Sequence, residues 1–168
     1  MSEIIPIVDE NDKVIDYRQR EELSREEIYR ISALWIINSR EQILLAQRSF
    51  SKTHSPGKWG PAVSGTVEKG ESYLENIIKE TKEEIGLDLT QYNFRTVDKI
   101  FSDTNWRFFC QWYLLKEDLN LEDLTFPENE VEQLKWINRK KFEKELAKSP
   151  EKFTTNMTEH YKILKKYS

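Results

Sequence analysis

The segment whose reading decides the fold runs from Gly65 to Leu87: GTVEKGESYLENIIKETKEEIGL. Its second half places Glu80, Glu83 and Glu84 within five residues. Carboxylates three or four apart on a helix repel each other by about 0.2–0.5 kcal/mol per pair, so the cluster costs stability unless something offsets it. Ser72 followed by Glu75 is a capping-box pair that starts a helix at Ser72, and Gly86 is a suitable stop. At about 100° per residue, Leu74, Ile77, Ile78, Thr81 and Ile85 share one face, which must pack on a sheet. Glu80, Glu83 and Glu84 gather on one flank of that face, with Lys79 and Lys82 on the other. Carboxylates turned one way suit a hard divalent cation that bridges to phosphate oxygens. The plainer alternative is a solvated acidic face on an ordinary amphipathic helix.

The rest of the chain supplies the setting. Its 168 residues suit one domain with a real core, and 38% hydrophobic, 33% charged and 12% aromatic content argues against disorder. A net charge of −4 makes non-specific nucleic-acid binding a poor expectation, though a local basic site or a metal can still take phosphates. Cys110 is the lone cysteine, which permits no internal disulfide and fits a reducing cytoplasm. The opening MSEIIPIVDE lacks the pattern of a signal peptide, and no apolar run is long enough to span a membrane.

Ile4 to Tyr17 reads as two short strands around a turn at Glu10–Asp12, followed by REELSREEIYR, helical in part. Ile31 to Asn38 is a near-continuous apolar strand, and Gln42 to Ser49 is its return. Pro56, Gly57, Gly60 and Pro61 predict an irregular loop, and AVSGTV a short strand or bend. Two strands, FRTVDKIFSD and RFFCQWYLLK, flank a turn near Asp103–Asn105. VEQLKWI is a last strand, before two helices split by Pro150. Hairpin-linked strands mixed with helices predict a mixed sheet with helices packed on it.

The spacing in the first segment is Gly65, five residues, Glu71, seven residues, then Lys79, Glu80, Thr81, Lys82, Glu83, Glu84, Ile85, Gly86, Leu87. This closely resembles the Nudix box, G-x5-E-x7-R-E-U-x-E-E-x-G-U, where U is bulky and apolar. Gly65, Glu71, Glu80, Glu83, Glu84, Gly86 and Leu87 match it. Lys79 stands in place of arginine and Thr81 in place of an apolar residue. The resemblance implies a Nudix-type α/β/α sandwich with a mixed β-sheet. It would be one domain over residues 1–168, with a core over about 30–145 and the N-terminal hairpin and C-terminal helices packed on it. It also implies hydrolysis of a diphosphate joined to some group X, with Mg2+ or Mn2+. On that pattern Glu83 and Glu84 are metal ligands, Glu80 is a ligand or the base that activates water, and the Gly65 carbonyl joins the metal shell. Glu71 and Lys79 pair to steady the loop, less rigidly than a carboxylate–arginine fork would. Thr81 can bond back to its own helix.

The loop QRSFSKTHSPGKW carries Arg48, Lys52, His54 and Lys58, cations that could hold phosphates. Arg48, Lys52, Pro56, Gly57 and Trp59 are similar to the same region of isopentenyl-diphosphate isomerases, a branch of the Nudix fold. That likeness raises Arg48 and Lys52 as substrate-binding residues. Against isomerisation, Ser64-Gly65-Thr66 stands where those enzymes have C-G-H, and the chain has only His54 and His160. Cys110 reads as a core residue, His160 as a surface one, and Trp35, Trp106, Trp112 and Trp136 as packing; one tryptophan could stack on a base, but nothing in the sequence selects it. Glu130 and Glu128 are candidates for a further carboxylate at the metal. The expectation is a cytoplasmic metal-dependent hydrolase of a nucleotide derivative or other small phosphorylated metabolite, with no nucleic-acid or membrane partner and homodimerisation left open. The rivals are an isomerase-like enzyme and a non-catalytic nucleotide-binding regulator.

Overall fold

The run ISALWII is apolar throughout because both faces of its strand are covered. In the computed structural model, which describes residues 2–167, it belongs to β3 (Ile28–Ile37). Trp35 and Ile37 pack with Phe142 and Tyr161 on one side, while Leu34 and Ile36 pack with Ile77 and Ile85 on the other. Helix α1 (Tyr73–Ile85) therefore lies on one face of the sheet, and α2 (Arg139–Lys148) and α3 (Met157–Leu164) on the other. This is the α/β/α layering that the resemblance implies.

β3 also organises the strand order. It pairs in parallel along its whole length with β8 (Arg107–Lys116), from Ile28 opposite Arg107 to Ile37 opposite Lys116. Its other edge is shared by β1 (Ile4–Val8) and β6 (Val63–Thr66), both antiparallel. β2 (Val14–Gln19) extends the sheet beyond β1, and β7 (Phe94–Asp103) beyond β8. β4 (Gln42–Arg48) meets β3 only at Ile37 and Ile43, then pairs with β9 (Val131–Asn138) and β5 (Trp59–Pro61). The loop after β4 lines one cavity with β6 and with Glu80, Glu83 and Glu84 of α1.

Three local expectations are corrected. REELSREEIYR forms only a short 3-10 turn at Arg20–Glu22, and β3 begins at Ile28, which is drawn into the sheet between Val8 and Arg107. Trp59–Pro61 is a strand despite its glycine and proline; it pairs with β4 and, through Trp59, bridges to Phe153, and a short strand at the sheet's edge tolerates proline. Leu74 is 46% exposed, although it is aligned with the packing face. It sits in the first turn of α1, where the buried side chain is Asn76.

His160 is a larger correction: it is buried, at 4% exposure. Trp112 Nε1–H donates to its Nδ1 at 3.1 Å, and its Nε2 lies 2.7 Å from Ser102 Oγ. Nδ1 must stay unprotonated to accept from the indole, so Nε2 carries the proton toward Ser102. Burial pushes its pKa down to about 4. Between pH 6.5 and 4 the unfolded chain binds a proton at this site that the native one does not, so native stability rises with pH through that window. The loss on acidification amounts to about 3 kcal/mol. Urea unfolding of the parent and of His160→Gln between pH 7 and 4 should show a shallower decline in the variant; parallel declines would contradict this account.

Candidate active site

Helix α1 begins with the expected reciprocal cap: Glu75 N–H donates to Ser72 Oγ at 3.2 Å and Ser72 N–H to Glu75 Oε2 at 2.7 Å. It ends at Gly86, whose φ of 71° is left-handed and whose N–H donates to Lys82 O at 3.1 Å. A Cβ at Gly86 would stand 2.2 Å from Thr125 Oγ1, so close packing also keeps this position bare. Thr81 is buried on the sheet side and satisfies its hydroxyl by donating to Ile77 O at 2.6 Å.

These fixed ends set the acids against β6. Glu80 lies across Gly65, where a Cβ would come within 2.3 Å of its carboxyl carbon. Glu84 Oε2 accepts from Ser64 N–H at 3.1 Å. Glu83 is exposed, and all three line a cavity of about 730 Å³ together with Gly65. Arg48 and Lys52, from the end of β4 and the loop after it, line the same cavity, as do His54 and Glu130. The structure thus brings Gly65, Glu80, Glu83, Glu84, Arg48, Lys52, His54 and Glu130 to one cavity, but not all of the candidates. Lys58 and Glu128 do not line the cavity.

Electrostatics at this wall are unbalanced. Burial pushes the Glu80 carboxyl up to about 7; Lys79 opposes the shift, and the charges of Glu83 and Glu71 add to it. Burial, followed by the charge on Glu80, pushes Glu84 up to about 8 against the single bond from Ser64. Facing them, Lys52 is ion-paired with Glu130, and Arg48 Nε–H donates to His54 O at 2.9 Å. Both cations are thus held by partners within the protein. Among the described residues, no three His, Cys, Asp or Glu side chains converge closely enough to enclose an ion.

Behind the acids lies a polar scaffold that the sequence reading covers only in part. Lys79 Nζ bonds Glu71 at 2.6 Å, as expected, and also Glu68 at 2.7 Å. Asn76, fully buried, donates to Glu71 Oε2 at 2.9 Å and to Thr66 O at 3.0 Å, and accepts from Ser32. It ties β3, β6 and the loop before α1 to the helix. The available signal is an amide beside the apolar face of α1. Against burial, which would raise it, the bonds from Lys79, from the Glu68 backbone and from Asn76 hold the Glu71 carboxyl below its ordinary range.

A family model for the NUDIX domain matches residues 28–157. The chain belongs to the Nudix family. An uncharacterised Nudix hydrolase of Listeria innocua is 26% identical over 123 residues, 73% of this chain and 71% of that protein. An isopentenyl-diphosphate Delta-isomerase of Pectobacterium atrosepticum is 35% identical over 88 residues, 52% of this chain and 49% of its own length. The match therefore spans about half the length of that curated relative. Among solved structures, a Deinococcus radiodurans protein superposes with a TM-score of 0.83 at 25% identity, covering 95% of this chain and 98% of the other. The NUDIX domain of Shewanella oneidensis NrtR, solved with ADP ribose, gives 0.60 at 13% identity over 82% and 86% of the two chains, a likeness of fold alone.

The Nudix box of this chain carries lysine where an arginine fork is usual, and here the lysine spans two carboxylates by itself. Lys79→Ala leaves Glu71 and Glu68 half-buried without a cation and should destabilise the protein by about 1–3 kcal/mol in urea unfolding. Lys79→Arg should stay within about 1 kcal/mol of the parent. A larger loss with arginine than with alanine would show that the site does not work as a paired scaffold.

Proposed function

We propose that the chain is a divalent-metal-dependent hydrolase that cleaves a diphosphate linkage in a nucleotide derivative or another small phosphorylated metabolite, acting in the cytoplasm as a single Nudix domain over residues 1–168. The observation that carries this reading is the pair of half-buried carboxylates, Glu80 and Glu84, packed on Gly65 and Ser64 in one cavity with Arg48 and Lys52. Carboxylates are hard oxygen donors, and two that are strained by burial and mutual charge fit Mg2+ or Mn2+. Glu83 and Glu84 would hold the ion, Glu80 would ligate it or take a proton from the attacking water, and the Gly65 carbonyl would add a neutral oxygen. A bound divalent ion supplies charge neutralisation at the diphosphate and orientation of water. Arg48 and Lys52 bind and orient the phosphates from the other side, while Glu71, Lys79 and Gly86 keep the loop and helix in register.

The full set of box acids supports catalysis over a purely regulatory binding role. The isomerase relative raises a second reading, which the cavity disfavours. Ser64 and Thr66 line it where a thiol and an imidazole would be needed. Cys110 is present in its lining, but burial raises the thiol pKa, so it is a weak acid.

Purified protein with Mg2+ or Mn2+ should hydrolyse members of a panel of nucleoside diphosphate derivatives, sugar nucleotides and dinucleotides. Glu83→Gln and Glu84→Gln should each lower kcat by on the order of 100-fold or more. Arg48→Ala and Lys52→Ala should raise KM more than they lower kcat. Near-parent turnover in both glutamine variants would refute the metal assignment. Incubation with isopentenyl diphosphate and Mg2+ should yield no dimethylallyl isomer; catalytic formation of it, abolished by Ser64→Ala, would favour the isomerase.

A further inference from the structure

The N-terminal hairpin of β1 and β2 reaches the active site in two places. Glu3, Arg20 and Leu23, from its open end, line the cavity together with the acids of α1. Glu3 and Arg20 are ion-paired, and Arg20 N–H donates to Glu3 O at 2.9 Å, so the two form one piece of wall. The hairpin also meets the loop that joins Gly65 to α1. Lys69 N–H donates to Ile4 O of β1 at 2.8 Å, and Lys69 Nζ lies 4.8 Å over the Tyr17 ring of β2. The residue before it, Glu68, is the second partner of Lys79. The scaffold behind Glu80 is therefore joined to the hairpin through the main chain at Lys69.

At its other end the hairpin is fastened by its turn. Asp12 stands there with a left-handed φ of 60° and a side chain only 10% exposed. Its carboxylate accepts from three elements at once: Arg30 Nε–H of β3 at 2.7 Å, Lys99 Nζ–H of β7 at 2.6 Å, and Tyr73 O–H at the start of α1 at 3.0 Å. Arg30 also donates to the Asp12 carbonyl at 2.6 Å, and the two cations lie 5.4 and 5.1 Å over the Tyr73 ring. Against burial, which would raise it, the bonds from Lys99, Arg30 and Tyr73 hold the Asp12 carboxyl below its ordinary range. A charge so placed is costly to leave unpaired, which gives the clasp one geometry. The hairpin thus grips the loop before α1 on either side, at Lys69 through Ile4 and at Tyr73 through Asp12. Asp12 itself does not line the cavity. We propose that Asp12 is a positioning residue of the active site: by clasping Arg30, Lys99 and Tyr73 it keeps Ile4 on Lys69, and so fixes the loop from Gly65 to α1 and the Glu3–Arg20 wall. The proposal rests on the hydrolase reading for what the cavity does, but its test requires no bond cleavage.

Glycine adopts a left-handed φ freely, so Asp12→Gly deletes the carboxylate and spares the turn. Asparagine tolerates the same conformation and keeps one acceptor. Hydrogen exchange followed by NMR should show the Lys69 amide exchanging on the order of tenfold faster in Asp12→Gly, while the amides that pair β3 with β8 stay near the parent rate. Calorimetric titration with methylenediphosphonate, an uncleavable diphosphate, in the presence of Mg2+ should give binding weaker by about fivefold or more. Asp12→Asn should recover part of both losses. Tyr73→Phe, which removes one bond to Asp12 and keeps the ring, should show both in milder form. The proposal is overturned if Lys69 exchanges at the parent rate in Asp12→Gly, or if Lys69 and the β3–β8 amides accelerate equally, the mark of plain loss of stability. It is also overturned if Lys69 is loosened while diphosphonate affinity is unchanged. Loss of the hydrolase reading alone would appear differently, as absent metal-dependent turnover with both effects of Asp12→Gly intact.

Discussion

Gly65 is bare because Glu80 occupies the space a side chain would need. That close approach, with the Ser64 N–H on Glu84, locks the acidic flank of α1 to the strand that borders β3. The consequences run in both directions. Toward the sheet, Ile77 and Ile85 are pressed into the core formed with Leu34 and Ile36. Toward the cavity, two carboxylates are taken out of water beside each other, which is unfavourable for both. The chain accepts this cost and surrounds it with supports: a reciprocal cap at Ser72, a left-handed glycine at residue 86, the buried amide of Asn76, and Lys79 across Glu68 and Glu71. That scaffold holds the strained pair in register with β6.

The other face of the sheet performs a different task. Phe108 and Trp112 of β8 face α3, and His160 fastens that helix to the sheet through Trp112 and Ser102. The residues leading into α3 then form a cavity wall, where Asn156 is joined to the β7–β8 turn by Thr104. The acids of α1 and the residues leading into α3 thus come from opposite layers and line one cavity.

Much of this was legible in the sequence where the physics is local. The cap at Ser72, the stop at Gly86, the back-bond of Thr81 and the burial of β3 follow from spacing along a few residues. The gathering of Glu80, Glu83 and Glu84 on one flank follows from helical pitch. What escaped depends on partners distant in the chain. His160 reads as a surface residue on an amphipathic helix until Ser102 and Trp112, 58 and 48 residues away, are seen to satisfy its ring. Trp59–Pro61 reads as a loop until β4 offers an edge to pair with. Glu68 joins Lys79 only because the loop folds back on the helix.

The central claim is that burial and repulsion at Glu80 and Glu84 are tolerated because a hard divalent cation relieves them. Thermal unfolding of the parent and of Glu84→Gln, each with and without millimolar Mg2+ or Mn2+, tests it most directly, since an ion that binds only the folded state must raise the midpoint. The account predicts that metal raises the parent midpoint by several degrees, that Glu84→Gln without metal is at least as stable as the parent, and that the variant loses most of the metal response. A parent insensitive to either ion, or a metal-free Glu84→Gln less stable than the parent, would contradict it.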